Sequence, residues 1–432
     1  MAGRAREGRG VALKTTGPLK TAPGIRRAFH VLMRRPDARA ASSVARPSDQ
    51  VRIVGGAVRD AFLGEKGGDL DLVASPGRAE PLAWALARHA GTRVIAVGAA
   101  PKRVLKVPFR THEIDVWEET ENPLTDLLRR DFTVNALSFS LPDGAFTCAP
   151  GALEDLRERR LAPPRPGVFL EDPLRVLRAA RFLAELPGFH VARRAMPELR
   201  EAVIFLRGVK EERRLVELDK LLAAPAAGRM AALRFLERTG ALSILLQGTA
   251  ARERRRGLAL VSRLDSRDPR VARALLLFPM GPKRAEDLLR RWKTSREELR
   301  LASRLFSLSL RPPGRGPATR RDVAELLRRS SPFEEESLLF LLAAGDSRAR
   351  ALARAAQIVL RRPASLHRIL KPLRPLPLEE IQQSLNLTEG PDLGRVLSSF
   401  DLALASGEIR GPGAARAWLQ ARRALGNPPS GC

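Results

Sequence analysis

The sequence predicts an α+β chain, with a mixed sheet and helices near its N-terminal side and a long all-helical C-terminal part. Three observations carry this. Short apolar or alternating runs, separated by glycines, fall between residues 51 and 150. After Gly151 the apolar positions repeat at helical spacing, and no further strands are expected. The chain has 432 residues, 44% of them hydrophobic, enough for roughly two or three domains with packed cores.

Taken in order, residues 1–50 carry eleven Lys or Arg against three acids, with frequent Gly and Pro. They read as a basic, disordered tail, with an RNA-contacting arm or a transit peptide as alternatives. Residues 51–54 form a short apolar strand ended by Gly55 and Gly56, and 57–63 a helix stopped by Gly64. Residues 69–73 alternate as a strand does, and 78–89 read as a helix closed by Gly91. Further strands are expected at 92–97, 103–107 and 113–117, so 51–150 is a compact head. Helical spacing follows over 172–186, 196–206, 209–222 and 226–239, giving a helical region at 151–245. Residues 246–432 continue as Leu-, Arg- and Ala-rich helices broken by Pro and Gly, as at 311–317.

Charge narrows the partner. Lys and Arg total 76 against 48 Asp and Glu, a net of +28, and only ten of the 76 are Lys. Arg offers a planar fork matched to phosphate and base edges, which points toward a polyanion. The two cysteines, Cys148 and Cys432, build neither a disulfide framework nor a zinc site. No run of 18 apolar residues suggests a membrane span, and the start lacks the apolar stretch of a secretory signal. A reducing, cytoplasmic compartment is the expectation.

Three constellations carry chemistry. The first is Gly55-Gly56-Ala57-Val58-Arg59-Asp60 followed by Asp69-Leu70-Asp71. A strand, two glycines and a helix start form an anion site, because helix N-terminal amides point at a phosphate and glycine lets it come close. Arg59, one turn in, reaches the same side. Asp69 and Asp71 stand two apart on a strand, so both carboxylates face one way and offer the oxygen ligands that Mg²⁺ prefers. Alone, the glycines read as a tight turn and the acids as a solvent-facing strand. A dinucleotide site fits poorly, since the G-x-G-x-x-G spacing is missing. The second constellation is Arg129-Arg130-Asp131-Phe132-Thr133-Val134-Asn135-Ala136, a basic pair that would neutralise a triphosphate or position a sugar. The third is Glu171-Asp172-Pro173-Leu174-Arg175, with Arg178, Arg181 and Phe182 following. Its Arg ridge reads either as a site or as a solvated helix face, and Asp172 as a helix N-cap.

In this order, the motifs resemble the class II branch of the nucleotidyltransferase superfamily, the tRNA CCA-adding enzymes and bacterial poly(A) polymerases. Gly151–Leu156 and 211–220 resemble the family's remaining motifs, so the likeness spans about 51–245. The resemblance implies a polymerase β-like nucleotidyltransferase head and the transfer of C or A from CTP and ATP to a tRNA 3′ end. Asp69 and Asp71 would bind Mg²⁺, and Asp115 would be a third catalytic carboxylate, with Glu113 on the same face as its rival. Gly55, Gly56 and Arg59 would hold the triphosphate, assisted by Arg129 or Arg130, with Asn135 in the nucleotide-binding set. Asp172 and Arg175 would read the base, supported by Arg178 and Arg181. Cytosine and adenine share an amino donor beside a ring-nitrogen acceptor, which a carboxylate and a guanidinium complement; uracil and guanine present the reverse. Cys148 and Ala152 stand where the family has Asp and Gly. The stretch from Asp71 to Arg129 is short for a full CCA-adding enzyme, which raises CC-adding or A-adding partial activity. Poly(A) polymerase activity and a non-catalytic RNA-binding role are the alternatives.

Overall fold

A computed structural model describes residues 22–424, apart from 66, 100–102, 111, 120–121 and 311–317. Residues 1–21 of the expected tail, the Pro/Gly break at 311–317 and Cys432 lie outside the described residues. Contacts divide the chain into two compact units. One runs to Val209 and takes in Arg238–Ala241; the other holds Lys210–Glu237 and the chain from Leu242 onward.

The first unit opens with helices α1 (Pro23–Leu32) and α2 (Pro36–Val44), where a disordered tail was expected. Each starts with proline in its first turn, a position whose amide needs no helical partner. Ile25, Ala28 and Leu32 recur at helical spacing and are buried, and Phe29 lies 5.3 Å from the ring of Phe139. Burying such side chains contributes roughly 1.5–3 kcal/mol each, enough to hold a short basic helix in place. Basic residues dominate the charge of this segment, but the apolar stripe between them sets its structure.

A seven-stranded mixed sheet follows. Its strands are β1 (Arg52–Val54), β2 (Leu70–Ala74), β3 (Ile95–Val97), β4 (Val104–Phe109), β5 (His112–Glu118), β6 (Leu137–Ser140) and β7 (Phe146–Cys148). They lie in the order β3-β4-β5-β2-β1-β6-β7. Only β2 and β5 pair in parallel; every other neighbour is antiparallel. Helices α3 (Gly56–Leu63), α4 (Ala79–Ala90) and α5 (Pro123–Leu128) connect them. Gly55, between β1 and α3, has φ +76°, a conformation that favours glycine. The strands β6 and β7 were missed in the sequence, where the run 136–139 is buried throughout and Phe146–Cys148 is only three residues long. Arg35, at the start of α2, is held by Asp37 and donates from Nη2 to the Gly68 carbonyl at 2.5 Å, fixing the approach to β2.

The rest of the first unit is mostly helical: α6 (Ala152–Arg157), α7 (Val168–Glu171), α8 (Arg175–Glu185) and α9 (Met196–Val203). One correction is needed, since β8 (Arg160–Leu161) and β9 (His190–Val191) form a small parallel pair after Gly151. Asp155 is fully buried and accepts from Thr133 Oγ1 at 2.8 Å, Arg160 Nε at 2.8 Å and Arg194 Nη2 at 3.0 Å, tying α6 to three other segments.

The second unit is helical throughout its described residues, beginning with α10 (Glu211–Leu222), α11 (Ala226–Thr239), α12 (Ala241–Leu245), α13 (Ala251–Val261) and α14 (Pro269–Leu277), and continuing to Gly411–Ala424. Arg229 is fully buried and donates to the carbonyls of Leu222, Leu264 and Ser266. Separate apolar cores form around Leu326, Leu341 and Leu352, and around Ile381, Phe400 and Leu419.

Gly257, on α13, sits against the backbone of α14. A Cβ on it would lie 2.4 Å from the Leu276 carbonyl oxygen. Alanine is the better helix former by ~1 kcal/mol, but overpacking against backbone costs ~1–3 kcal/mol. Gly257→Ala should therefore lower the melting temperature. A Tm equal to or above that of the parent protein would show that α13 and α14 have room to spare.

Candidate active site

Strand register builds the first half of the site. In the parallel β2–β5 pair, Asp71 stands opposite Asp115. Leu70, Leu72, Ile114 and Val116 point into the core, so the alternate residues Asp71 and Asp115 share the other face. Asp69 lies one residue before β2, and its Oδ1 accepts the Glu113 amide at 3.0 Å. Burial pushes the Asp71 carboxyl up to about 6; Arg130 opposes this, while Asp115 and Asp69 add to it. A Cβ on Gly55 would lie 3.3 Å from Asp71 Oδ2 and 3.5 Å from Arg130 Nη1, so the glycine turn, the acid and the guanidinium adjoin. Arg130 is steadied by Asp126, 2.9 Å from Nη2, and by the Trp117 ring, 5.5 Å away.

Lys106 was not singled out in the sequence. It stands opposite Asp115 in the antiparallel β4–β5 pair. Its ammonium donates to Glu113 Oε2 at 2.8 Å and to Asp115 Oδ1 and Oδ2 at 3.1 and 3.2 Å. The bond to Glu113 in particular holds the lysine above the ordinary lysine range, against the opposing effect of burial. Alternation along 104–109 places Lys106 on the polar face, a signal that only strand pairing connects to Asp115. Among the described residues, no three His, Cys, Asp or Glu side chains converge as a metal-holding group.

A buried polar chain forms the second half. On α3, Arg59 donates from Nε to Asp60 at 2.8 Å and from Nη1 to Asn135 Oδ1 at 2.7 Å. Asn135 Nδ2 donates to Asp131 Oδ1 at 2.9 Å, which also accepts the Phe132 amide at 2.8 Å. Arg178, on α8, closes the chain with Nε and Nη2 at 2.8 and 2.6 Å from Asp131 Oδ2. The guanidiniums of Arg59, Arg178 and Arg181 lie 5.5, 5.7 and 4.5 Å from the centre of the Phe182 ring, an electron-rich face shared by three cations. The structure thus joins the glycine helix, the Arg-Arg-Asp segment and the Arg ridge into one network.

The remaining residues take different places. Arg175 donates to the Val168 carbonyl at 2.9 Å and to the Arg129 carbonyl at 2.7 Å. Burial lowers its pKa from the usual arginine value. Asp172 is not the N-cap of α8, a position that Leu174 holds. Its Oδ1 accepts the Leu174 amide at 3.2 Å, a local turn two residues on. Arg181 also pairs with Glu185 at 3.1 Å. A Cβ on Gly56 would lie 3.5 Å from Arg59 Nη2.

Comparison with known proteins bears on the family and the fold. The family described as the poly A polymerase head domain matches residues 51–162. A CC-adding tRNA nucleotidyltransferase of Thermus thermophilus is 31% identical over 411 residues, covering 85% of this chain and 92% of that protein. Among solved structures, the Thermotoga maritima CCA-adding enzyme complexed with tRNA superposes with a TM-score of 0.69 at 18% identity, covering 92% of this chain and 98% of that one. The Bacillus stearothermophilus CCA-adding enzyme in complex with CTP gives 0.70 at 24% identity, with 94% and 98% covered. At those identities the structural matches bear on the fold.

The polar chain has a pH signature. Burial alone would raise the Asp131 carboxyl, but Arg178, Asn135 and the Phe132 amide together hold it below the ordinary carboxylate range. Its ionised form therefore stabilises the fold above that range, and the contribution is lost as pH falls through the depressed value. Asp131→Asn should cost about 2 kcal/mol at neutral pH, less than a fully buried pair because Arg178 is one-third exposed. The Tm gap between variant and parent should narrow below about pH 4. A gap that ignores pH would rule out an ionised Asp131.

Proposed function

This chain belongs to the class II tRNA nucleotidyltransferase and bacterial poly(A) polymerase family, and on that premise we propose the roles of its site residues. The protein is a template-independent RNA nucleotidyltransferase that adds C, A or both from CTP and ATP to the 3′ end of tRNA. The observation that most supports the residue roles is the shared strand face that sets Asp71 beside Asp115 and next to the Gly55 turn.

Enzymes of this kind use divalent metal ions, and we infer Mg²⁺ held by Asp69 and Asp71. The donor set fits. Mg²⁺ takes one or two carboxylates and completes its shell with water and substrate phosphate oxygens, so a closed protein cage is not required. The raised Asp71 carboxyl reports negative charge packed into a partly buried place, where a cation is favourable. When bound, the metal supplies charge neutralisation at the transferring phosphoryl group and activation of the attacking hydroxyl.

The chain's own groups do the rest. The Gly55–Gly56 turn and the first amides of α3 cradle the triphosphate, with Arg59 beside them. Arg130, steadied by Asp126 and Trp117, faces the same anion, with Arg129 assisting. Asp115 completes the catalytic carboxylates. Asn135 holds Arg59 in place for the nucleotide. Asp172 and Arg175 read the C or A edge, while Arg178 and Arg181 brace the Phe182 platform. The RNA 3′-oxygen then bonds to the α-phosphorus as the bond to pyrophosphate breaks in line. In this reading 51–150 is the catalytic head, 151–245 reads nucleotide and RNA, and 246–432 binds the RNA body, at work on cytoplasmic tRNA.

A narrower product is a specific second reading, because the relative that matches along 92% of its own length is named for CC addition. Incubating the protein with tRNA lacking its 3′ end, CTP, ATP and Mg²⁺, and sizing the product, decides between CC, CCA, A alone and a poly(A) tract. No incorporation at all would leave a non-catalytic RNA-binding protein.

Two variants test the roles. Asp69→Ala and Asp71→Ala should each bring incorporation of every nucleotide to background while Tm and tRNA affinity stay near those of the parent; near-normal turnover in either sinks the assignment. Asp172→Asn still accepts the Leu174 amide, so a purely local turn predicts no change in base choice. As a base reader it should lose about tenfold or more in the CTP-to-UTP efficiency ratio, the equivalent of one mismatched buried hydrogen bond. An unchanged ratio moves base selection elsewhere.

A further inference from the structure

The carboxylate face carries a cation of its own. Lys106 has three ammonium protons and three acceptors within 3.2 Å: Glu113 Oε2, Asp115 Oδ1 and Asp115 Oδ2. Both Asp115 oxygens therefore bond to one amine, from the strand on the far side of β5 from Asp71. Neither Lys106 nor Asp115 is freely solvated, at 29% and 22% side-chain exposure, so their interaction is only partly screened. A surface ion pair gives no reason to converge all three donors on two acids of the catalytic face.

We propose that Lys106 is a positioning residue that fixes the orientation of the Asp115 carboxylate on the face it shares with Asp71 and, as a resident positive charge, weakens the affinity of the carboxylate face for divalent cations. This rests on the assignment of that face as the metal site. The two effects pull turnover and metal binding in opposite directions, which no loss of packing would do. Without the amine, Asp115 is free to turn, and the face is one charge more negative. Metal should bind more tightly, and catalysis at saturating metal should fall. Arginine would restore the charge, but its planar fork cannot reproduce a three-point ammonium contact.

The test uses the full chain. Mn²⁺ is titrated into nucleotide-free protein, and free Mn²⁺ is followed by electron paramagnetic resonance. Turnover is measured separately at saturating metal, with thermal melts as the folding control. For Lys106→Met the Mn²⁺ dissociation constant should fall roughly tenfold, the size of effect expected from one nearby charge partly screened by solvent. Its kcat should drop by a similar factor. Lys106→Arg should keep Mn²⁺ affinity near that of the parent while its kcat stays low. Lys106→Gln, polar and uncharged, should bind Mn²⁺ as the Met variant does, which covers the case in which methionine disturbs the strand. Unchanged or weakened Mn²⁺ binding in both neutral variants overturns the proposal, as does an unchanged kcat. Asp71→Asn separates the two levels. If it weakens Mn²⁺ binding while the Lys106 variants change nothing, only the lysine role fails. If it leaves Mn²⁺ binding intact, the metal-site assignment fails, and the lysine role with it.

Discussion

Asp131 is the constraint on which the site depends. Its side chain is 5% exposed, and a buried carboxylate is tolerated only when its oxygens are occupied. Here they are met by Asn135, the Phe132 amide and Arg178. Through Asn135 it fixes Arg59 beside the glycine turn, and through Arg178 it fixes the helix that carries Phe182. Three segments separated by tens of residues are thereby set in one geometry. A hydrophobic residue of the same size would fill the space but would not orient two guanidiniums.

The strand half of the site shows the complementary device. Where Asp131 is fully compensated, Asp71 is not, and its carboxyl rises to about 6 through burial and the acids around it. The fold keeps like charges close on β2 and β5, which costs stability and is the kind of local conflict expected at a functional site. Lys106 and Arg130 relieve that repulsion from two sides without abolishing it.

Much of this was legible in the sequence because it depends on local spacing. Gly55–Gly56 needed only turn chemistry, and Asp69 and Asp71 needed only the strand period. The helix 175–185 showed in its Val176, Leu177, Ala180 and Leu183 pattern, although Phe182 is buried and Leu183 only half-buried. What was not legible depends on pairing across the chain. Lys106 has no local signature, since its partners lie on the next strand. The α1 and α2 helices hid behind their charge, although Ile25, Ala28 and Leu32 had the right period. Asp172 looked like a helix cap because an acid before proline often is one, yet the helix begins only at Arg175.

The arginine content also takes on a different meaning. A net charge of +28 invites the view that the surface is a sheath of phosphate contacts. Several guanidiniums are already engaged inside the protein. Arg52 pairs with Glu119 in the core, and Arg273 bridges Asp219 and Glu298. Arg229 is fully buried with its two terminal nitrogens on three backbone carbonyls, closing the end of α10 and the loop after α13. The planar fork that suits phosphate suits carbonyl and carboxylate oxygens equally, so arginine serves as internal scaffolding here. Formal charge therefore overstates the number of cations that RNA can meet. The counterions released on binding should follow the exposed guanidiniums rather than the composition.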